Sequence, residues 1–323
     1  MDWRQLISYL DQGQELTILV HERPDGDAWG SGLGLGLVLE DLGYKPRLLR
    51  PRRPPYAFAW LPGQHLIQVV AGEEWVWPAN GAVVTVDCGD GERCEYKLGD
   101  RRVLLNADHH VSNPGFGVLN WVDSQAGATA QILCRLLLAG GVAVSPAAAT
   151  CFYAALVTDT GGFRFSNTGG ETLAVAAQLA YGGADLGLIR RRLWENRPRP
   201  ELTLLREMMA RLVLLAGERA VFCALPYETM IEKGILDADT ETAIDALRGV
   251  EGVEVIALLK ETAPEVVKIS LRSKETLDCA AFMARLGGGG HVRAAGGTWR
   301  GPLPAAEKEL TRLLIEALTP GDV

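Results

Sequence analysis

Short apolar runs and polar punctuation alternate along this chain. Leu16–Val20 is apolar and β-branched and reads as a buried strand. The loop His21-Glu22-Arg23-Pro24-Asp25-Gly26-Asp27 follows, and Trp29 to Leu42 reads as a helix that stops at Gly43. Pro46–Leu49 predicts a second strand, Arg50 to Pro55 a Pro/Arg loop, and Ala82–Val86 and Val103–Asn106 further strands. Ala126 to Leu138 reads as a helix closed by Gly140-Gly141. Pro146 to Val157 reads as an apolar helix leading into Thr158-Asp159-Thr160-Gly161-Gly162. Strands alternating with helices predict an α/β fold, a mostly parallel sheet with helices on both faces. Inside the first long helix, Gly30, Gly32, Gly34 and Gly36 are each about 1 kcal/mol worse than alanine. Their expected use is close packing of helix on strand, or close approach to an anion at the helix start.

The pattern changes near Leu188. Arg190-Arg191-Arg192 and Asn196-Arg197-Pro198-Arg199-Pro200 read as a helix end and a linker, the arginine run as a solvated face. Glu201 to Leu215 then reads as one helix. A second alternation follows: strand Ala220–Leu225, helix Ile244–Leu247, strands Val253–Leu259 and Val266–Leu271, helix Cys279–Leu286. The run Gly287-Gly288-Gly289-Gly290-His291-Val292-Arg293 comes next, and a helix from Pro304 to Leu318 closes the pattern. The organisation expected is a first domain over 1–187, a linker helix region over 188–216 and a smaller α/β domain over 217–323. A length of 323 residues suits two domains.

Composition narrows the class. With 48% hydrophobic and 22% charged residues, the chain is ordinarily globular. No apolar run approaches the roughly 20 residues of a membrane helix, so no membrane partner is expected. The start Met1-Asp2-Trp3-Arg4-Gln5 lacks the basic region of a secretory signal. Six scattered cysteines, none in a C-x-x-C pair, suit reduced thiols in a cytoplasm. A net charge of −8 argues against long duplex nucleic acid as a partner, and leaves a short nucleotide open.

The chemistry collects where apolar runs end. Leu104-Leu105-Asn106-Ala107 runs into Asp108-His109-His110, in a protein with only five histidines. Val20-His21 leads to Asp25 and Asp27, Val86 to Asp87, and Val157-Thr158 to Asp159. Ligands of parallel α/β sheets bind outside the carboxyl ends of the strands. Three of these four acid-bearing ends fall at that edge, and the fourth ends a helix able to reach it. Converging carboxylates repel one another unless cations intervene. Imidazole and carboxylate without thiolate suit Mn²⁺ or Mg²⁺ better than a closed zinc site. Two divalent ions about 3.5–4 Å apart, with Asp87 placed to bridge them, would hydrolyse a phosphate ester. Singly, Pro-Asp-Gly-Asp is a surface turn, a lone histidine a packed or surface residue, and Asp-Thr-Gly a cap or turn. In this order and at element ends, the metal reading outweighs those alternatives. Four glycines before His291 support a flexible turn and a phosphate-binding loop about equally. Arg164, five residues after Asp159, is a further candidate phosphate contact.

The stretches HERPDGDAWGS, TVDCGD, NADHHVSN, VTDTGGFRFSNT and GGGGHVRAAGG together resemble the DHH phosphoesterase family with its DHH-associated C-terminal domain, over nearly the whole chain. Within it the chain resembles the oligoribonuclease (nanoRNase) group that also acts on 3′-phosphoadenosine-5′-phosphate (pAp). The resemblance implies that His21, Asp25 and Asp87 hold one Mn²⁺, and that Asp27, Asp87, His109 and Asp159 hold the other. It implies that His110 faces the scissile phosphate and Asp108 positions the histidine pair. It turns the glycine run into a substrate-binding element, with Gly288, Gly289, Gly290, His291, Arg293 and Arg272 holding the substrate. Trp29, where the family commonly has a smaller residue, is expected to pack its helix, with stacking on a base as the alternative. The partners implied are short single-stranded RNA oligonucleotides or nucleotides, and a homodimer stays open. Three other functions stay open as well: a phosphodiesterase of linear or cyclic dinucleotides, a family II inorganic pyrophosphatase, which should lack the GGGGH run, and a nucleotide-binding module without activity.

Overall fold

The structure is a computed structural model that describes residues 2–71, 75–94, 96–196, 198–238 and 240–319. It divides into two units, Met1–Asn196 and Arg197–Val323. The first contains α1 (Trp3–Ile7), β1 (Glu15–Leu19), α2 (Gly26–Asp41), β2 (Lys45–Arg50), β3 (Ile67–Val69), β4 (Ala82–Val86), β5 (Val103–Asp108), β6 (Leu119–Val122), α3 (Thr129–Ala139), α4 (Pro146–Asp159), α5 (Gly170–Tyr181) and α6 (Leu186–Arg190). A π turn, Arg191–Glu195, ends it. Its six strands lie in the order β3-β2-β1-β4-β5-β6. Every pairing is parallel, as the buried β-branched runs predict. The order reverses between β1 and β4, the switch point at which open α/β sheets bind ligands.

Helix α2 is buried along nearly its whole length, including Trp29 at 1% exposure. Trp29 therefore packs in the core, with the Arg50 guanidinium 5.6 Å from its ring centroid. The expected helix began at Trp29; it begins at Gly26 because Asp25 caps it, accepting from the Asp27 and Ala28 amides at 3.0 and 3.1 Å. The glycines of α2 serve two faces. Gly32 and Gly36 lie against Leu48, Val20 and Leu66, whereas Gly26, Gly30 and Gly34, spaced by four, face α4. A Cβ at Gly30 would stand 2.5 Å from the Cys151 carbonyl oxygen, and one at Gly26 would collide with the Thr158 side chain. The glycines thus fit helix against helix as well as helix against strand. The approach carries the end of α4, and Asp159 with it, to the start of α2.

The second unit contains α7 (Arg199–Ala210), β7 (Val213–Leu215), β8 (Ala220–Leu225), α8 (Tyr227–Glu232), α9 (Glu241–Arg248), β9 (Val255–Ala263), β10 (Val266–Ser273), α10 (Cys279–Ala284), β11 (Gly289–His291), β12 (Ala294–Arg300) and α11 (Leu303–Leu318). Its mixed sheet has the order β11-β12-β10-β9-β8-β7, with only β8 and β9 parallel. Two expectations change here. The helix expected over Glu201–Leu215 stops at Ala210, and Val213–Leu215 instead pairs antiparallel with Phe222, Val221 and Ala220. The expected linker region 188–216 is accordingly shared between the units, and Arg197 within it lies outside the described residues. The glycine run is not a free loop: Gly289–His291 forms an edge strand antiparallel to Ala294–Gly296. Gly290 has φ +146, and a Cβ there would stand 2.6 Å from the Ala294 carbonyl oxygen, which is why that strand takes glycine. No single helix among the described residues is long and apolar enough to cross a membrane.

Candidate metal centre

The six acids and imidazoles expected as ligands fall into groups whose ligand atoms lie within 4.8 Å of one another: His21, Asp25 and Asp87; Asp27, His109 and Asp159; and Asp87, His109 and His110. They arrive from the carboxyl ends of β1, β4 and β5, from the start of α2 and from the last residue of α4. His21 is fixed just past β1 by a bridge to Cys94 and by Arg50, which donates to the His21 and Glu22 carbonyls at 2.9 and 3.1 Å. Asp87 turns out of β4 with φ +55, a left-handed conformation that aspartate tolerates better than most residues. Its amide donates to the Ala107 carbonyl at 2.9 Å.

Asp87 faces both sides of the cluster. Its Oδ2 stands 3.7 Å from His21 Nε2, and its Oδ1 stands 3.7 Å from His109 Nε2 and 3.8 Å from His110 Nδ1. His109 Nε2 is also 3.9 Å from Asp27 and 3.7 Å from Asp159. Its Nδ1 lies 3.3 Å from the Ala126 carbonyl, which can only accept, so the proton sits on Nδ1 and Nε2 keeps its lone pair toward the acids. In His110 the Nδ1 lies 2.6 Å from Asp108 Oδ1, whose other oxygen accepts from Asn113 at 2.6 Å.

The electrostatics are those of a cluster short of positive charge. Burial raises Asp27 above the ordinary carboxylate range, against the pull of His109, Ser31 and Thr129. Burial first, then repulsion from Asp27, Asp25, Asp159 and Asp108, raises Asp87 well above it. Burial pushes Asp159 to about 8, with His109 opposing and Asp27 and Asp25 adding. Burial works against protonation of His109, but attraction to Asp159 and Asp27 wins and raises it. Burial lowers His21. Burial would raise Asp108 too, but hydrogen bonds from His110 and Asn113 hold it below the usual value. Buried acids that repel one another beside imidazoles fit divalent cations, and none of the three groups contains a cysteine.

The supporting residues were less legible. Ser31 donates to Asp27 at 2.7 Å, Asn167 to the carbonyl and carboxylate of Asp159 at 3.1 and 3.4 Å, and Asn113 also to Asn106 at 2.9 Å. These three lie inside the stretches HERPDGDAWGS, VTDTGGFRFSNT and NADHHVSN, which is the signal that could have found them. Thr129 had no such signal: its amide donates to Asp27 at 2.6 Å and its hydroxyl to Asp87 at 3.0 Å. The helix expected from Ala126 starts at Thr129 because of this contact. Its own N-cap, Ala128, offers no side chain, and Asp27 takes the orphan amides of Thr129 and Ala130 instead.

In the second unit, strand register sets Arg272, Ala294 and His291 in one row across β10, β12 and β11. Gly290 and Gly289 occupy the next two rows, opposite Ala295 and Gly296. Gly288 approaches the Gly296 carbonyl so closely that a Cβ there would overlap it. Arg293 donates to the Leu277 carbonyl at 3.1 Å, and Arg272 to the Leu271 carbonyl at 3.1 Å. The side chain of His291 lies outside the described residues. In the first unit, Arg164 is tied to the turn after Asp159 through its Nε, 2.6 Å from the Gly161 carbonyl.

A doubly wound sheet with a histidine–carboxylate cluster at its switch point, joined to a mixed-sheet unit, defines a two-domain α/β protein of phosphoesterase type. Residues 15–156 match the DHH family, N-terminal domain, and residues 222–319 match the DHHA1 domain. The chain is 33% identical over 306 residues to the bifunctional oligoribonuclease and PAP phosphatase NrnA of Thermus thermophilus, covering 92% of this chain and 90% of that one. It is 26% identical to the protein of the same description from Bacillus subtilis, covering 87% and 88%. The crystal structure of an exopolyphosphatase-related protein from Bacteroides fragilis shares the fold, with a TM-score of 0.88 at 23% identity over 97% of this chain and 94% of that one. The chain belongs to the DHH family and carries a DHHA1 domain.

Proposed function

We propose that this protein is a divalent-metal phosphoesterase that cleaves short RNA oligonucleotides to mononucleotides and removes the 3′-phosphate of pAp. The observation that carries the reading is Asp87: its two oxygens stand 3.7 Å from His21 and 3.7 Å from His109, so one buried acid belongs to both sides of the cluster. His21, Asp25 and Asp87 would hold one cation, and Asp27, Asp87, His109 and Asp159 the second. Mn²⁺ suits this nitrogen and oxygen donor set. When bound, the cations supply positive charge for the phosphate oxygens and the acidity that makes water a nucleophile near neutral pH. His110, with Nδ1–H given to Asp108, would face the scissile phosphate, and Asp108 would stabilise the ring when it carries a second proton.

Arg272, Gly288, Gly289, Gly290, His291 and Arg293 would hold the substrate, through close approach to a backbone that glycine leaves without side chains and through charged donors. Arg164 is proposed as a further phosphate contact. A net charge of −8 gives little long-range attraction for a polyanion and favours substrates of a few nucleotides. Six buried cysteines, none in a disulfide, suit a reducing cytoplasm. The reading is tested with Mn²⁺ and a panel of a ribodinucleotide, a long single strand, pAp, a cyclic dinucleotide and pyrophosphate. The expected outcome is turnover of the ribodinucleotide and pAp, little of the long strand, and none after chelation. Turnover confined to the cyclic dinucleotide would make the enzyme a signalling phosphodiesterase, turnover of pyrophosphate alone a pyrophosphatase, and binding without turnover a nucleotide-binding module.

A further inference from the structure

Thr129 touches two of the acids at once, and one of them, Asp87, faces both sides of the cluster. Its amide donates to Asp27 Oδ2 at 2.6 Å, and its hydroxyl donates to Asp87 Oδ1 at 3.0 Å. Ala130, the next residue, donates its amide to Asp27 Oδ1 at 3.2 Å. Thr129 is wholly buried, at 0% exposure, so water cannot replace either contact. Asp27 stands with His109 and Asp159, and Asp87 stands both with His21 and Asp25 and, through the Oδ1 that Thr129 touches, 3.7 Å from His109. Ser31, whose hydroxyl donates to Asp27, touches that acid from within its own helix. Asn167 serves Asp159 alone among the acids it is seen to touch.

We infer that Thr129 is a positioning residue that couples the two cation sites by holding the carboxylates of Asp27 and Asp87 in fixed relation at the start of α3. The inference rests on the metal-dependent reading above. An ionised carboxylate oxygen has room for a donor and a cation together, so the threonine hydroxyl can fix Asp87 Oδ1 without displacing a metal. A hydrogen bond to a charged group is worth about ten- to a hundred-fold in an equilibrium constant. Losing the hydroxyl while keeping the amide should therefore weaken cation binding without unmaking the helix start.

The test is a manganese titration of the full chain by calorimetry, with wild type, Thr129→Ser, Thr129→Val and Thr129→Ala, alongside melting curves and turnover of a ribodinucleotide. Thr129→Ser keeps the hydroxyl and should bind Mn²⁺ as wild type does. Thr129→Val and Thr129→Ala should bind it about tenfold or more weakly. At saturating Mn²⁺ their kcat should also fall, with KM for the dinucleotide little changed. Manganese isotherms of Thr129→Val and Thr129→Ala that overlay wild type would overturn the inference. So would a fold lost in both while Thr129→Ser stays folded, because that outcome marks a structural role only. If wild type binds manganese but hydrolyses no phosphate ester, the proposed function fails while the isotherms still decide the role of Thr129.

Discussion

His110 Nδ1 and Asp108 Oδ1 lie 2.6 Å apart at the end of β5, and the other Asp108 oxygen is held by Asn113. The pair fixes both the tautomer and the direction of the imidazole, since a carboxylate can only accept. Asp108→Asn should keep the shape but lose the charge that supports a doubly protonated ring. The expected result is a fall in kcat of about a hundred- to ten-thousand-fold, the range of general acid–base contributions. Bound manganese should stay at the wild-type level. Unchanged kcat on a ribodinucleotide would show that His110 takes no part in the reaction.

Asp87 is the acid shared by two of the three groups, so Asp87→Ala should remove more than one ligand's worth of function. The charge stabilisation a catalytic cation supplies is several kcal/mol, and each 1.36 kcal/mol is tenfold in rate. Hydrolysis should drop by about a thousandfold or more, together with the manganese bound per chain. Circular dichroism should still report the wild-type fold. A folded Asp87→Ala protein with near-normal turnover is the outcome incompatible with the proposed ligand set.

The buried acids give metal binding a definite pH direction. Asp27, Asp87 and Asp159 all have folded values above their unfolded ones, chiefly through burial. Their contribution to the metal-free fold is present below the unfolded carboxylate range and is lost as pH rises, through about 8 for Asp159. His109, also raised, acts in the same sense, and the lowered His21 opposes it. Metal-free protein should therefore melt at lower temperature at about pH 8.5 than at about pH 5.5. Manganese affinity should rise over the same window as protons cease to compete. Calorimetric titrations in two buffers of different ionisation enthalpy should detect proton release on binding. Melting temperatures that rise with pH in the absence of metal would contradict this.

The α2–α4 contact gives a stability prediction that is also a site prediction. A Cβ on Gly30 would meet the Cys151 carbonyl oxygen at 2.5 Å and the Ala155 Cβ at 2.8 Å. Overpacking of this kind costs about 1–3 kcal/mol, and in a protein of this size each 1 kcal/mol lowers the melting temperature by about 2–4 °C or less. Gly30→Ala should melt lower and bind manganese more weakly, because α4 carries Asp159. A variant that melts several degrees lower yet keeps wild-type manganese affinity would separate the packing from the site.

In the second unit, Arg272 shares a strand row with His291, with Ala294 of β12 between them. Arg272→Ala should raise KM for a ribodinucleotide about ten- to a hundred-fold, the worth of one charge-assisted contact. Bound manganese and melting temperature should stay close to wild type. An unchanged KM would remove Arg272 from the substrate site.

What the sequence determined by itself was the ordering of chemistry on secondary structure. Apolar runs that end in His21, Asp87 and Asp108-His109-His110 specify strand ends, and Trp29 to Leu42 specifies a helix that stops at Gly43. Both are local properties, set by side-chain hydrophobicity and backbone propensity. Tertiary structure decided what local preference leaves degenerate. Val213–Leu215 continues a helical periodicity but pairs with β8. The glycine run has no preference of its own and is drawn into an edge strand against Ala294–Gly296. Helix α3 starts at Thr129 and not at Ala126 because Asp27, 102 residues earlier, takes its first amide. No window of neighbouring residues contains that carboxylate. Only the fold brings it there, because α2 and α4 close on their glycines and the parallel sheet delivers Asp87 and His109 to the same edge.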